Sequence, residues 1–147
     1  MLLTTATDPL VRAASPWLLP GVKSTSYAVN MAAEAEAKKN NWNVCIAILD
    51  DGGHLLHLVR MDGATPANSQ IAVEKGRTAA MTRRSTASWQ ERVQKRPEML
   101  RMPGVTPVQG GLPIMVEGVC VGGIGASGVQ SHEDEQIVAA GIKALVG

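Results

Sequence analysis

The sequence contains no phenylalanine, and aromatic residues fill only 3% of its 147 positions. A core must therefore be built from Val, Ile, Leu, Met and Ala, and the aromatic platforms that stack single-stranded nucleic acid are missing. Neither sign of charge dominates: 14 Lys and Arg against 13 Asp and Glu leave a formal charge of +1. That balance gives no electrostatic footprint for a nucleic-acid backbone, and no basic run suits an anionic membrane surface. No apolar run approaches the roughly 20 residues that span a bilayer. The N-terminal stretch has no basic segment followed by a continuous apolar one, so no secretion signal is read there. The expectation is a soluble cytoplasmic protein that engages neither nucleic acid nor membrane. Cysteine is scarce as well. Cys45 and Cys120 each sit inside an apolar strand-like run, where a thiol acts as a small core residue and not as half of a disulfide or a metal pair.

What is present is glycine, 15 residues of it, and a chain length that suits one domain with a substantial core. Pro9, Pro16 and Pro20 break any long helix near the start, so residues 1–23 are expected to form an N-terminal arm and residues 24–147 the domain. Ser24 to Asn40 is expected to be a helix, capped by Ser24, Thr25 or Ser26, with Tyr27, Met31, Ala35 and Lys38 on one stripe and Glu34 paired with Lys38. Val44 to Asp50 is apolar at every position up to Leu49 and predicts a central strand covered on both faces. Asp51-Gly52-Gly53 turns the chain, and His54 to Arg60 returns as its partner. Thr65 followed by Pro66 opens a second helix, expected to run to about Arg83. Ser85 caps a short helix reaching Lys95. The proline-rich stretch from Arg96 to Pro107 is a long loop of the kind that carries function or an interface. A glycine corner, Gln109 to Pro113, leads into a second hairpin about Glu117-Gly118, and Ser131 opens a last helix with Asp134 at the capping-box position. The order predicts an α+β fold with an antiparallel sheet, not an alternating parallel one.

Several residues carry chemistry in this layout. His54 and His57 lie three apart on a strand, so their side chains face opposite ways and do not form a metal pair. Arg60 ends that strand just before the Asp62-Gly63 turn. Together with the N-terminus of the next helix it makes an anion site, or it pairs with Asp62 and fixes the loop. Lys75 falls at the edge of the helix's apolar stripe. There it snorkels to solvent, or faces a pocket as a second cation or a base. The run Gly122-Gly123-Ile124-Gly125 has no phosphate-loop ending, and instead predicts close approach of a backbone or a flat ligand. His132 sits among acids at a solvated helix start. No nucleophile elbow or Cys/His arrangement is recognisable.

Three blocks, ILDDGGHLLHLVRMDGA, AVEKGRTAA and GGLPIMVEGVCVGGIGASG, closely resemble the GlcG/HbpS-like family, also called the haem-degrading domain, which includes the C-terminal domain of PduO-type proteins. The resemblance covers Ser24 to Gly147. It implies an α-β-β-α-β-β-α unit, a profilin-like antiparallel sheet flanked by helices, that assembles into dimers or larger oligomers up to octamers. It implies haem as a ligand, with Thr106, His54 and His132 as candidates for an axial contact, and it carries over Arg60, Asp62, Thr78, Gly110, Gly111 and Pro113 as ligand-binding positions. His54 and Lys75 are the candidate catalytic residues; no metal ligand is assigned. Three functions fit. One is a protein that binds haem or a similar anionic ligand, accessory to catabolism, with Arg60 and Lys75 anchoring carboxylates and Met102, Val105 and Ile114 touching the apolar part. Another is a lyase or isomerase for a small hydroxy- or hydroxylamino-carboxylate, aromatic or aliphatic. The third is a scaffold without a ligand.

Overall fold

The computed structural model describes residues 22–146. The expected arm falls almost wholly outside them, and the first helix, α1, spans Val22–Lys39, starting two residues before the expected cap. Strands β1 (Cys45–Asp50) and β2 (Leu55–Arg60) follow, then helices α2 (Ala67–Thr82) and α3 (Thr86–Lys95). A 3-10 turn over Pro97–Arg101, strands β3 (Gly111–Val116) and β4 (Val119–Ser127), and helix α4 (Ser131–Val146) complete the described chain. The sheet is antiparallel throughout, in the order β2-β1-β4-β3. This is the α+β arrangement that the sequence order predicts.

The central position of β1 follows from its composition. Cys45 to Leu49 are all buried, because alternate residues feed two cores. Val44, Ile46 and Ile48 join Val29, Ala33, Ile124, Ile137 and Val138 under α1 and α4, while Cys45, Ala47 and Leu49 pack with Ala64 and Ala72 of the α2 side. Burying a side chain of this size contributes about 1.5–3 kcal/mol, so β1 is the element both layers depend on.

Local signals act largely as read. Ser85 Oγ accepts the Ser88 N–H at 3.2 Å and caps α3. Glu117 and Gly118 both have positive φ, 51° and 79°, which is the primed turn that suits a two-residue hairpin. Two caps differ. Thr65 Oγ1 accepts from the Asn68 side chain and not from a backbone N–H, so α2 begins after Pro66 without a side-chain cap. At α4 the box is shifted by one residue: Glu133, not Asp134, reaches back to the Gln130 N–H at 3.1 Å, which frees Asp134 for another task. On α1, the stripe of Tyr27, Met31, Ala35 and Lys38 exists but faces outward; the buried stripe is Ser26, Val29, Asn30, Ala33 and Ala37.

The two sheet edges are treated differently. At β3 the outward N–H and C=O of Gly111 are both taken by Thr86 Oγ1, at 2.8 and 3.3 Å, and Pro113 two residues on has no N–H to offer. At β2 the edge carries Leu55, Leu56 and Leu58, all exposed.

Candidate functional site

Helix α2 lies against β4 at backbone distance. A Cβ on Gly125 would stand 2.1 Å from the Ala72 carbonyl, and one on Gly123 would stand 2.3 Å from that of Gly76. The glycine run of β4 therefore admits a helix backbone, the first of the two uses expected of it. Lys75 rides on this seam and is 2% exposed. Its Nζ donates to Asp134 Oδ2 at 2.9 Å and to the Ala126 carbonyl at 3.1 Å. Asp134, equally buried, also accepts the Val129 N–H through Oδ1. Burial pushes the Asp134 carboxyl above the ordinary carboxylate range, against the opposing pull of the Lys75 hydrogen bond and charge.

The glycine corner belongs to the same arrangement. A Cβ on Gly110 would lie 2.8 Å from Lys75 Nζ, and one on Gly111 only 2.4 Å from the Lys75 carbonyl. These two glycines thus make room for the lysine, a packing role within this chain. Thr78, fully buried, accepts the Thr106 N–H at 2.9 Å and ties the long loop to α2. Gln90 of α3 likewise accepts the Gln109 N–H, tying the glycine corner to that helix. Lys75 neither snorkels nor joins Arg60 in an open clamp; its charge is already answered by Asp134.

Arg60 lies elsewhere, at the end of the edge strand. With Glu34, Lys38, Asn43, Met61 and Asp62 it lines an open depression of about 400 Å³ between α1 and the loop that leads to α2. Among the described residues neither Arg60 nor Lys38 enters an ion pair. The expected Arg60–Asp62 and Glu34–Lys38 pairs are not formed. Glu34 accepts instead from Asn30 Nδ2 at 3.1 Å. His54 stands at the far end of the strand, 81% exposed, with Nδ1 3.3 Å from Asp50. His132 is exposed at the start of α4. His57 packs edge-on to Tyr27, with ring centroids 6.1 Å apart. Among the described residues no group of three or more His, Cys, Asp or Glu could hold a metal ion, and no helix is long and apolar enough to cross a membrane.

Two features escaped the sequence reading. Asp134 looks like a helix-start acid, and only the tertiary fold shows it as the partner of Lys75. Asn30 sits in an alanine-rich helix where nothing local marks it as buried.

Together these observations define a class: a four-stranded antiparallel sheet between helical layers, with a helix seated on strand glycines and a depression lined by charges of both signs at one edge. The match to a family model is equally direct. Residues 24–143 match the model described as haem degrading protein HbpS-like, and the chain belongs to that family. It is 46% identical over 101 residues to protein GlcG of Escherichia coli (strain K12), covering 68% of this chain and 75% of that one. HbpS of Streptomyces reticuli, in a double-mutant crystal structure, superposes with a TM-score of 0.79 at 31% identity, covering 85% of this chain and 86% of that one. The crystal structure of PduOC in complex with haem superposes with a TM-score of 0.76 at 25% identity, covering 82% and 91%.

Proposed function

We propose that this protein is a ligand-binding member of the family that anchors a carboxylate at Arg60. The observation that carries the reading is the pair of cations, Arg60 and Lys38, at one depression with no ion-pair partner among the described residues. An unpaired guanidinium offers two parallel N–H donors to a carboxylate. In one chain Lys75 adds nothing to this clamp, because its ammonium is spent on Asp134.

The family description and the haem complex of PduOC support haem as the ligand. The residues of one chain fit only part of it. Arg60 and Lys38 suit the propionates, but the depression has Met61 as its one apolar lining side chain and no histidine. No step through an iron centre is derived from it. A lyase or isomerase would need a proton carrier beside Arg60; the carboxylates of Glu34 and Asp62 line that depression, whereas the expected carrier, His54, does not. In one chain His54 lies six residues along an extended strand, roughly 20 Å away.

Self-association through the β2 edge completes the proposal. Leu55, Leu56 and Leu58 are exposed there, and an exposed apolar edge strand is a template for pairing. The test is a haem titration of the purified protein, followed by visible absorption, beside Arg60→Ala. A saturable Soret shift near one haem per chain, weakened in the variant, is the expected result. A linear, non-saturating response removes haem and leaves simpler carboxylates to be screened.

A further inference from the structure

The depression at Arg60 is lined by two charges of each sign: Lys38 and Arg60 against Glu34 and Asp62, with Asn43 and Met61 completing the wall. Each acid has a base within reach along the chain. Glu34 lies one helical turn before Lys38, the spacing and direction at which such a pair forms most readily, and Asp62 follows Arg60 by two residues. Neither pair forms, and among the described residues none of the four enters an ion pair. At Glu34 the reason is visible. Asn30, one turn earlier on α1 and only 1% exposed, donates from Nδ2 to Glu34 Oε2 at 3.1 Å. An amide held in the interior cannot follow a side chain outward, so it draws the carboxylate toward the start of the helix and away from Lys38. Only Oε2 is engaged in this way. Four charges therefore stay apart around one small depression, each with capacity to spare.

We propose that this depression takes a zwitterion, a small α-amino acid. The proposal rests on the reading of Arg60 as a carboxylate anchor and specifies the other end of the ligand. Arg60 and Lys38 take the carboxylate, and Glu34 and Asp62 take the ammonium group. A simple carboxylate seated on Arg60 lies beside two acids of its own sign, and like charges brought together count against a ligand. A simple amine meets the same opposition from Lys38 and Arg60. A ligand with both charges removes both conflicts, and its ammonium group has three donors, enough for both acids. Met61, the one apolar lining side chain, suits a short aliphatic side chain. Asn30 is a positioning residue, because it acts on the ligand only through Glu34.

The test uses three matched probes, L-norleucine, hexanoate and pentan-1-amine, titrated into the full chain at low salt, where exposed charges are least screened. The Asn43 and Met61 resonances are followed by NMR. The expected result is saturable binding of norleucine, about two- to fivefold tighter than hexanoate, the gain that an exposed ion pair gives, with the amine weaker than norleucine. Glu34→Gln keeps a partner for Asn30 and removes the charge. It should bring norleucine down to the level of hexanoate without weakening hexanoate, whereas Arg60→Ala should weaken both. If hexanoate binds through Arg60 as tightly as norleucine, the zwitterion proposal is overturned and the carboxylate anchor stands. If norleucine does not bind, the zwitterion proposal falls alone where hexanoate or haem still binds through Arg60, and both readings fall where neither does. A preference for norleucine that survives Glu34→Gln together with Asp62→Asn would also overturn the assignment.

Discussion

The two helical layers meet the sheet in opposite ways. On one side α2 is pressed onto β4 until glycine hydrogens are all that separate the backbones, and its one buried charge, Lys75, is neutralised by a partner equally buried. On the other, α1 meets β2 where Tyr27 packs on His57, with Asn30 Oδ1 and His57 Nε2 unanswered and two cations in no ion pair among the described residues beside an open depression. Close packing leaves no space in which a ligand could gain anything, while incomplete packing leaves hydrogen-bonding capacity that a ligand can take up. The conspicuous glycine run thus marks the scaffold. The site is to be sought where the chain is less tidy.

The comparison breaks most severely at Gly125. An alanine there would place its Cβ 2.1 Å from the Ala72 carbonyl and 2.5 Å from the Gly76 nitrogen. Both are backbone atoms in the middle of a helix, so relief requires α2 to lift off the sheet. We expect Gly125→Ala to cost more than about 3 kcal/mol and to lower the melting temperature by about 10 °C or more. A melt within a few degrees of wild type would mean that α2 is not seated as closely as described.

The next largest effect lies at Lys75 and Asp134. Removing one partner of a buried pair leaves the other charge uncompensated, at a cost of about 3–5 kcal/mol. Lys75→Met and Asp134→Leu should each cost in that range, and the double variant should recover much of it because the residual charge is gone. A double variant as unstable as the sum of the singles would show that the pair is not coupled. The pH dependence has a definite sign. Asp134 is held above its ordinary carboxylate value, so the folded state binds its proton more tightly than the unfolded state does. Its contribution is fully present below the unfolded pKa and is lost as pH rises through the folded one. Asp134→Asn should flatten that fall in a series of denaturant melts.

How far the chain discloses this depends on whether a signal is local. Strand β1, the hairpin at Glu117-Gly118 and the Ser85 cap are each specified by neighbouring residues, and the fold follows from them. The glycines of β4 announce close approach without saying of what. Lys75 and Asp134 are 59 positions apart, and no spacing rule brings a mid-helix lysine to the first turn of another helix. The displaced box at Gln130 and Glu133 shows how one residue of register hides a partner, because an acid in the first turn already has an adequate local explanation. Arg60 was visible as a charge at a strand end. That Asp62 leaves it unpaired was not, since an adjacent acid is sequence evidence for pairing and only the observed turn decides. Asn30 is the hardest case: a polar residue in a run of alanines is indistinguishable from a solvated position until the outward stripe is known to be Tyr27 and Met31.

The smallest effect on stability is expected at the outer boundary of the open seam. Leu58 lies opposite Ala47 in the β1–β2 register and is exposed in the single chain, so Leu58→Lys should change the free energy of unfolding by no more than about 0.5 kcal/mol. Its effect should appear in association. A lysine on an edge strand opposes pairing with another strand, because its charge would have to be desolvated against a second copy carrying the same charge. The β3 edge needs no such device, since Thr86 and Pro113 already close it. If β2 is where copies of this chain meet, analytical ultracentrifugation should show Leu58→Lys shifted toward the monomer at unchanged melting temperature, while Val119→Lys on the exposed start of β4 leaves the distribution as it was. A shift caused equally by both substitutions would point to general charge repulsion. No shift with either would place any self-association on another face and leave the exposed leucines of β2 to be explained by the ligand alone.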